Sequence, residues 1–344
     1  MAEAFLQLSK AERNEALGVA AAASGRPTHL LEKDVWVVWA LRTMFESEFG
    51  AHLVFKGGTS LSKAYRAIAR FSEDIDLTYD IRAIAPDLVR PDSAEALPPN
   101  KSQERKWTKA IRERLTTWVA ELALPVVRGG LNQERLAATA SVDSERSDVM
   151  RIQYEHAAEG SGYVQPVVIL EFGARSTGEP YTPIPIVCDA AQYLPVLTFP
   201  VSTPRIMKVE GTFWEKATAI HVYCLGGKLP GSRFSRHWHD LAELERAGHA
   251  EAALQQNGVA HQVALHKRMF FSAKAETGET IDYEIAVRGA LRLVPEGASL
   301  DSLAEDYRQM IQDGLLVNQA KSFEEIVEAC RRIEARVNAA MRGS

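Results

Sequence analysis

Between Val54 and Asp80 the chain reads VFKGGTSLSKAYRAIARFSEDIDLTYD, placing two glycines and two hydroxyls ahead of two acids spaced by one residue. Gly57 and Gly58 follow an expected strand and precede an expected helix. Glycine there permits torsions that other residues resist and lets a ligand approach the backbone. The N–H groups of a helix start, assisted by the hydroxyls of Thr59 and Ser60, suit phosphate oxygens. The spacing is not that of a P-loop, since GxxxxGK[ST] is absent. Asp74 and Asp76, at i and i+2 of a strand, point to one face about 7 Å apart. Such a pair is unfavourable when both are ionised without a cation, and Mg²⁺ accepts it together with water and phosphate oxygens. Each half alone has an ordinary reading, a surface turn or a solvated sheet face. Joined across one helix, they provide what nucleotidyl transfer needs: a cradle for a triphosphate and metals that stabilise the leaving pyrophosphate.

These groups must be held by a scaffold. The 344 residues suggest about two domains, with an ordinary globular composition of 46% hydrophobic and 25% charged residues. A net charge of -5 gives no global nucleic-acid signature, although a local basic groove is compatible with it. Three dispersed cysteines, Cys188, Cys224 and Cys330, fit a reduced, cytoplasmic setting. The N-terminal stretch reads as helix rather than signal peptide, and no run reaches membrane-spanning length.

Residues 3–50 read as helices, HLVF as a buried strand, TSLSKAYRAIARF as an amphipathic helix and EDIDLTYD as a second strand. Residues 84–103 form a polar, proline-bearing candidate for a mobile insertion, followed by a helix rich in basic residues. LPVVRG, LAATASV, MRIQYE, VVILEFGA, IPIVCD and VLTFPV read as short strands, and from Lys208 the chain returns to helix. The expected fold is α/β (α+β), a mixed sheet flanked by helices. A first domain would span 1–207, and a helical C-terminal domain, 208–344, would contribute Lys216 and Asp240 to the cleft.

FKGGTSLSKAY followed by RFSEDIDL resembles the turn and DxD signature of nucleotidyltransferases related to DNA polymerase β. With LEKDVW upstream, LEFGARS at 170–176, FWEKATAIH at 213–221 and RFSRHWHDLAEL at 233–244, the chain resembles the AbiEii-type toxins of type IV toxin–antitoxin systems. The likeness covers about residues 30–245. It implies transfer of a nucleoside monophosphate from an NTP with Mg²⁺ (or Mn²⁺), growth arrest, an RNA acceptor such as the 3′ end of tRNA, and a cognate antitoxin encoded nearby. His237 departs from the family pattern, where a lysine or acid stands beside the arginine. It would make the charge near Asp240 sensitive to pH.

The resemblance assigns Asp74 and Asp76 to the metals; Glu171, the one acid of a buried strand, is the candidate third carboxylate, its ordinary reading being an acid that faces solvent at the strand end. Lys216 would neutralise triphosphate charge; its ordinary reading is an exposed lysine paired with Glu210 or Glu215. Arg236 and Asp240 lie one helical turn apart. Arg236 could contact phosphate and Asp240 could orient Lys216 or an acceptor hydroxyl, or the two could form a helix ion pair. Lys56, Arg66 and Arg70 cluster near the turn, with Arg70 free to orient the acid strand. Lys33 and Asp34 read equally as structural partners. His237 and His239, at i and i+2 of a helix, do not favour zinc, and Trp36, Trp39, Trp214 and Trp238 read as core anchors. KSQERKWTKAIRERL, with Lys228, Arg233 and Arg236, could line an RNA track or be solvated helix faces. Transfer to a protein or small-molecule hydroxyl, and a nucleotide-binding regulator without turnover, are the competing readings.

Overall fold

The computed structural model describes residues 3–70, 72, 74–89, 96–157, 165–227, 233–312, 316 and 321–342. The polar insertion falls partly outside them, as does Lys228. Two compact units are present: 1–64, 73–93 and 109–206 form the first, and 65–72, 94–108 and 207–344 the second. Two short segments from the N-terminal half thus pack within the second unit, where the sequence suggests a single break near residue 207.

The first unit is built on a seven-stranded sheet. Its order is Ala138–Val142, Val149–Tyr154, Val167–Gly173, Asp74–Tyr79, Leu53–Lys56, Arg205–Met207, Tyr181–Pro183. The Asp74–Tyr79 strand, hereafter the acid strand, runs parallel to Val167–Gly173 and antiparallel to Leu53–Lys56. The sheet is therefore mixed. Alternation along each strand sends Phe55, Ile75, Leu77, Leu170 and Phe172 into the core, each at most 3% exposed. The intervening Asp74, Asp76 and Glu171 stay half-buried. Period-two patterning thus decides which face is left for chemistry.

Helix Thr28–Phe45 contributes Trp36, which stacks on Tyr154 with centroids 5.0 Å apart, and Trp39. Tyr79, Trp118 and Phe172 make a second aromatic cluster. LPVVRG is helical rather than extended. Helix Lys101–Trp118 passes through a π-turn, Val119–Ala123, into helix Leu124–Gln133. Val119, Ala123, Val127 and Leu131 recur every fourth residue and are all buried, so the apolar period is that of a helix. Pro125 is tolerated because it sits in the first turn of the renewed helix.

The second unit is helical: Val209–Gly226, Arg236–Arg246, His249–Leu254, Asn257–Phe270, Tyr283–Val287, Ala298–Gln312 and Phe323–Arg342. Trp214 and Trp238 are buried anchors whose indole N–H groups donate to the carbonyls of Ala253 and Leu293. Asp306 accepts from the backbone N–H groups of Arg233 and Ser235, closing the start of helix Arg236–Arg246. All three cysteines are free. Among the described residues, no helix is long and apolar enough to cross a membrane.

Candidate functional site

In the first unit the helix begins at the glycines themselves, Gly57–Lys63, and is shorter than the sequence suggests. Gly57 has φ +79°, and a Cβ there would overlap Asp76 Oδ2 and come within 2.8 Å of its Cγ. Glycine is required twice over, for the torsion and for the space. The hydroxyls expected to help bind phosphate have other work. Thr59 Oγ1 donates to Asp74 O at 2.5 Å, and Ser60 Oγ donates to Gly57 O at 2.9 Å. Both side chains are buried. Thr59 ties the turn to the first residue of the acid strand, and Ser60 closes the turn on itself.

Register brings the acids together. Asp76 stands opposite Lys56 on one neighbouring strand and opposite Glu171 on the other. Register partners share a face, so Lys56, Asp76 and Glu171 form one row with Asp74 beside it. The Glu171 carboxylate forks onto Arg146, with Oε1–Nη1 2.9 Å and Oε2–Nη2 3.3 Å. Among the described residues, no three His, Cys, Asp or Glu side chains are grouped closely enough to hold a metal ion. The group that fits a divalent cation is the aspartate pair, which with water and phosphate oxygens meets the modest demand of Mg²⁺ for protein ligands.

The far end of helix Gly57–Lys63 is anchored by an ion network that includes Asp34. Lys63 Nζ lies 2.5 Å from Asp34 Oδ1, 2.8 Å from Asp189 Oδ1 and 3.1 Å from Val187 O. Asp34 Oδ2 accepts from the Asp189 N–H at 2.6 Å, and Arg26 also pairs with Asp189. Burial pushes the Asp34 carboxyl above its usual range although Lys63 opposes this. The adjacent Glu32 accepts from the Ala157 N–H, and Lys33 donates to Gln165 O. The EKD triplet therefore fastens its helix to three separate segments.

In the second unit Arg70, Lys216 and Asp240 converge. Asp240 is fully buried; its Oδ1 and Oδ2 receive Arg70 Nε at 2.6 Å and Nη2 at 2.8 Å, and Oδ2 also receives Lys216 Nζ at 2.8 Å. Burial alone would raise this carboxyl's pKa, but Arg70 and Lys216 outweigh it and hold the group well below the usual range. Two cations thus share one carboxylate. Arg70 forks onto Asp240. Lys216 is buried and is not an exposed lysine paired with Glu210 or Glu215. Arg236 is exposed and Asp240 is turned to Arg70 and Lys216, so no Arg236–Asp240 helix pair forms. Burial, then Lys216 and Arg236, push His237 well below the ordinary histidine range, so it stays neutral at physiological pH. It is not the pH-sensitive charge that the sequence suggests.

The basic stretch 101–115 is partly engaged. Lys101 Nζ donates to Arg268 O and Met269 O, Arg114 pairs with Asp87, and Lys109 lies 4.0 Å from Glu113. Arg105, Lys106 and Arg112 are exposed.

Three comparisons bear on these residues. Residues 39–329 match the AbiEii model, described as nucleotidyl transferase AbiEii toxin of the type IV toxin–antitoxin system. No curated protein matches the sequence. Among solved structures, the chain is similar to MenT4, a nucleotidyltransferase toxin from Mycobacterium tuberculosis H37Rv. That likeness has 17% identity and a TM-score of 0.42, over 97% of this chain and 99% of the other.

Proposed function

The chain belongs to the AbiEii family of nucleotidyltransferase toxins, and on that premise we propose that it transfers a nucleoside monophosphate from an NTP to an RNA hydroxyl, with tRNA the favoured acceptor. The observation that carries this reading is the half-buried Asp74–Asp76 pair on one sheet face, with Asp76 packed against a glycine that admits no side chain. Asp74 and Asp76 would hold Mg²⁺ or Mn²⁺, which when bound supplies charge stabilisation at the α-phosphate and the departing pyrophosphate. Gly57 and Gly58 keep the turn open for a phosphate tail. Thr59 fixes that turn against the acid strand, and Ser60 braces it from within. In the reaction an acceptor hydroxyl oxygen bonds to the α-phosphorus, the α–β anhydride bond breaks, and the hydroxyl proton passes to solvent.

Within the second unit Lys216, its ammonium held by Asp240, would be a cation suited to a phosphate group. Arg70 keeps that carboxylate ionised by forking onto it. Arg236, with exposed Arg105, Lys106 and Arg112, would meet the RNA backbone. A cognate antitoxin and growth arrest follow from the family.

Purified protein incubated with each α-³²P-labelled NTP, Mg²⁺ and either total tRNA or cell protein tests the acceptor. Label in the RNA supports the proposal. Label in protein would shift the acceptor to a protein hydroxyl, and nucleotide binding without label would leave a regulator.

A further inference from the structure

Arg146 reaches the acid row by a two-pronged contact with the Glu171 carboxylate. Its place is well defined. It sits in the turn between strands Ala138–Val142 and Val149–Tyr154, where Asp143 Oδ1 accepts from the Arg146 N–H at 3.0 Å and Arg146 O accepts from the Val149 N–H at 3.0 Å. Asp148 O in turn accepts from the Phe172 N–H at 2.9 Å, pinning the turn to the strand that bears Glu171. A rigid base therefore delivers a flexible guanidinium to one particular carboxylate.

That carboxylate is the register neighbour of Asp76. Adjacent strands lie about 4.8 Å apart, so a cation held by Asp76 would lie within reach of the Glu171 carboxylate. In this structure the Glu171 carboxylate is neutralised by Arg146. The pair is largely solvent-facing, with side-chain exposures of 51% and 32%, so the attachment is weak and reversible. Asp148 offers Arg146 a second carboxylate, its Oδ2 3.5 Å from Nη2, to which the guanidinium can retire.

Building on the metal reading above, we infer that Arg146 is an internal competitor for the divalent cation, occupying Glu171 until the metal displaces it. Glu171 then has two alternative partners, and joins Asp74 and Asp76 only in the loaded state. Arg146 is a positioning residue that sets how much free metal the site requires.

Mn²⁺ titration of the nucleotide-free protein, read by the loss of free-ion EPR signal, tests this directly. Arg146→Leu should tighten Mn²⁺ binding by roughly two- to fivefold, the factor that an exposed ion pair commands. Arg146→Lys, which keeps the charge but loses the fork, should tighten it less. In a Glu171→Gln background, Arg146→Leu should change nothing. Unchanged or weaker binding in Arg146→Leu overturns the competition. So does an equal gain in the Glu171→Gln background, which would mark a general charge effect. Wild-type protein that binds no Mn²⁺, or binds it undiminished in Asp74→Ala and Asp76→Ala, would instead remove the metal reading itself. Circular dichroism confirms that each variant is folded.

Discussion

Gly57 and Asp76 occupy mutually exclusive volumes: the space where a Cβ of residue 57 would stand is taken by the carboxylate of Asp76. The turn and the acid strand are thus one construction. Gly57→Ala must move either the carboxylate or the turn, and it also strains a φ of +79°. A loss of about 1–3 kcal/mol in stability is expected from the backbone term alone, with NMP transfer lowered at least tenfold. Chemical denaturation and a labelling assay check both. Full activity in Gly57→Ala would show that the contact is incidental.

Asp240 binds two buried cations, so its removal should cost more than a surface acid would. Asp240→Asn is expected to destabilise the protein by about 3–5 kcal/mol by leaving Arg70 and Lys216 uncompensated. Adding Arg70→Met should recover part of that loss. Urea denaturation of the two variants measures it, and additive losses would contradict the coupling.

Lys63 closes the far end of the glycine helix. Lys63→Met leaves Asp34 buried beside Asp189, at an expected cost of about 3–5 kcal/mol. Asp34→Asn in the same chain should reduce this cost. A loss below 1 kcal/mol in Lys63→Met would mean the network is loosely held.

The histidines give an acid-side signature. His221 is 1% exposed, and its Nδ1 accepts from the Arg292 N–H at 3.0 Å, which requires the neutral ring. Burial, with help from Arg292, lowers its pKa to about 4. The unfolded chain therefore binds a proton that the folded chain refuses between the two values. Stability is full above about pH 6.5 and falls as pH drops toward 4, by about 3 kcal/mol for this group. His237 adds to the loss with the same sign. The depressed Asp240 acts only lower, below the ordinary carboxylate range. In His221→Asn, whose side-chain oxygen can still accept from Arg292, the decline between pH 7 and 5 should be shallower. Parallel stability curves would contradict this assignment.

The features legible in the sequence are those set by local spacing. The aspartates had to share a face once their strand was recognised, and Glu171 stood out as the acid of an otherwise apolar strand. LPVVRG reads as a strand because Pro125, Val126 and Val127 ahead of two glycines mimic a strand and turn, whereas it lies in helix Leu124–Gln133. The fourfold recurrence of buried residues from Val119 to Leu131 was the available signal for helix. Arg70 with Asp240, Lys63 with Asp34 and Arg146 with Glu171 had no local signal. Each joins groups 25 or more positions apart, and charge pairing at that range is decided by packing. The burial that neutralises His237 is likewise invisible to spacing.

The direct measurement of the central claim is transfer of label from α-³²P-NTP to tRNA by wild-type, Asp74→Ala and Asp76→Ala proteins with Mg²⁺, each shown to be folded. Labelled RNA from the wild type and none above background from either variant is the expected result. Undiminished labelling by either variant would contradict the role given to the aspartate pair.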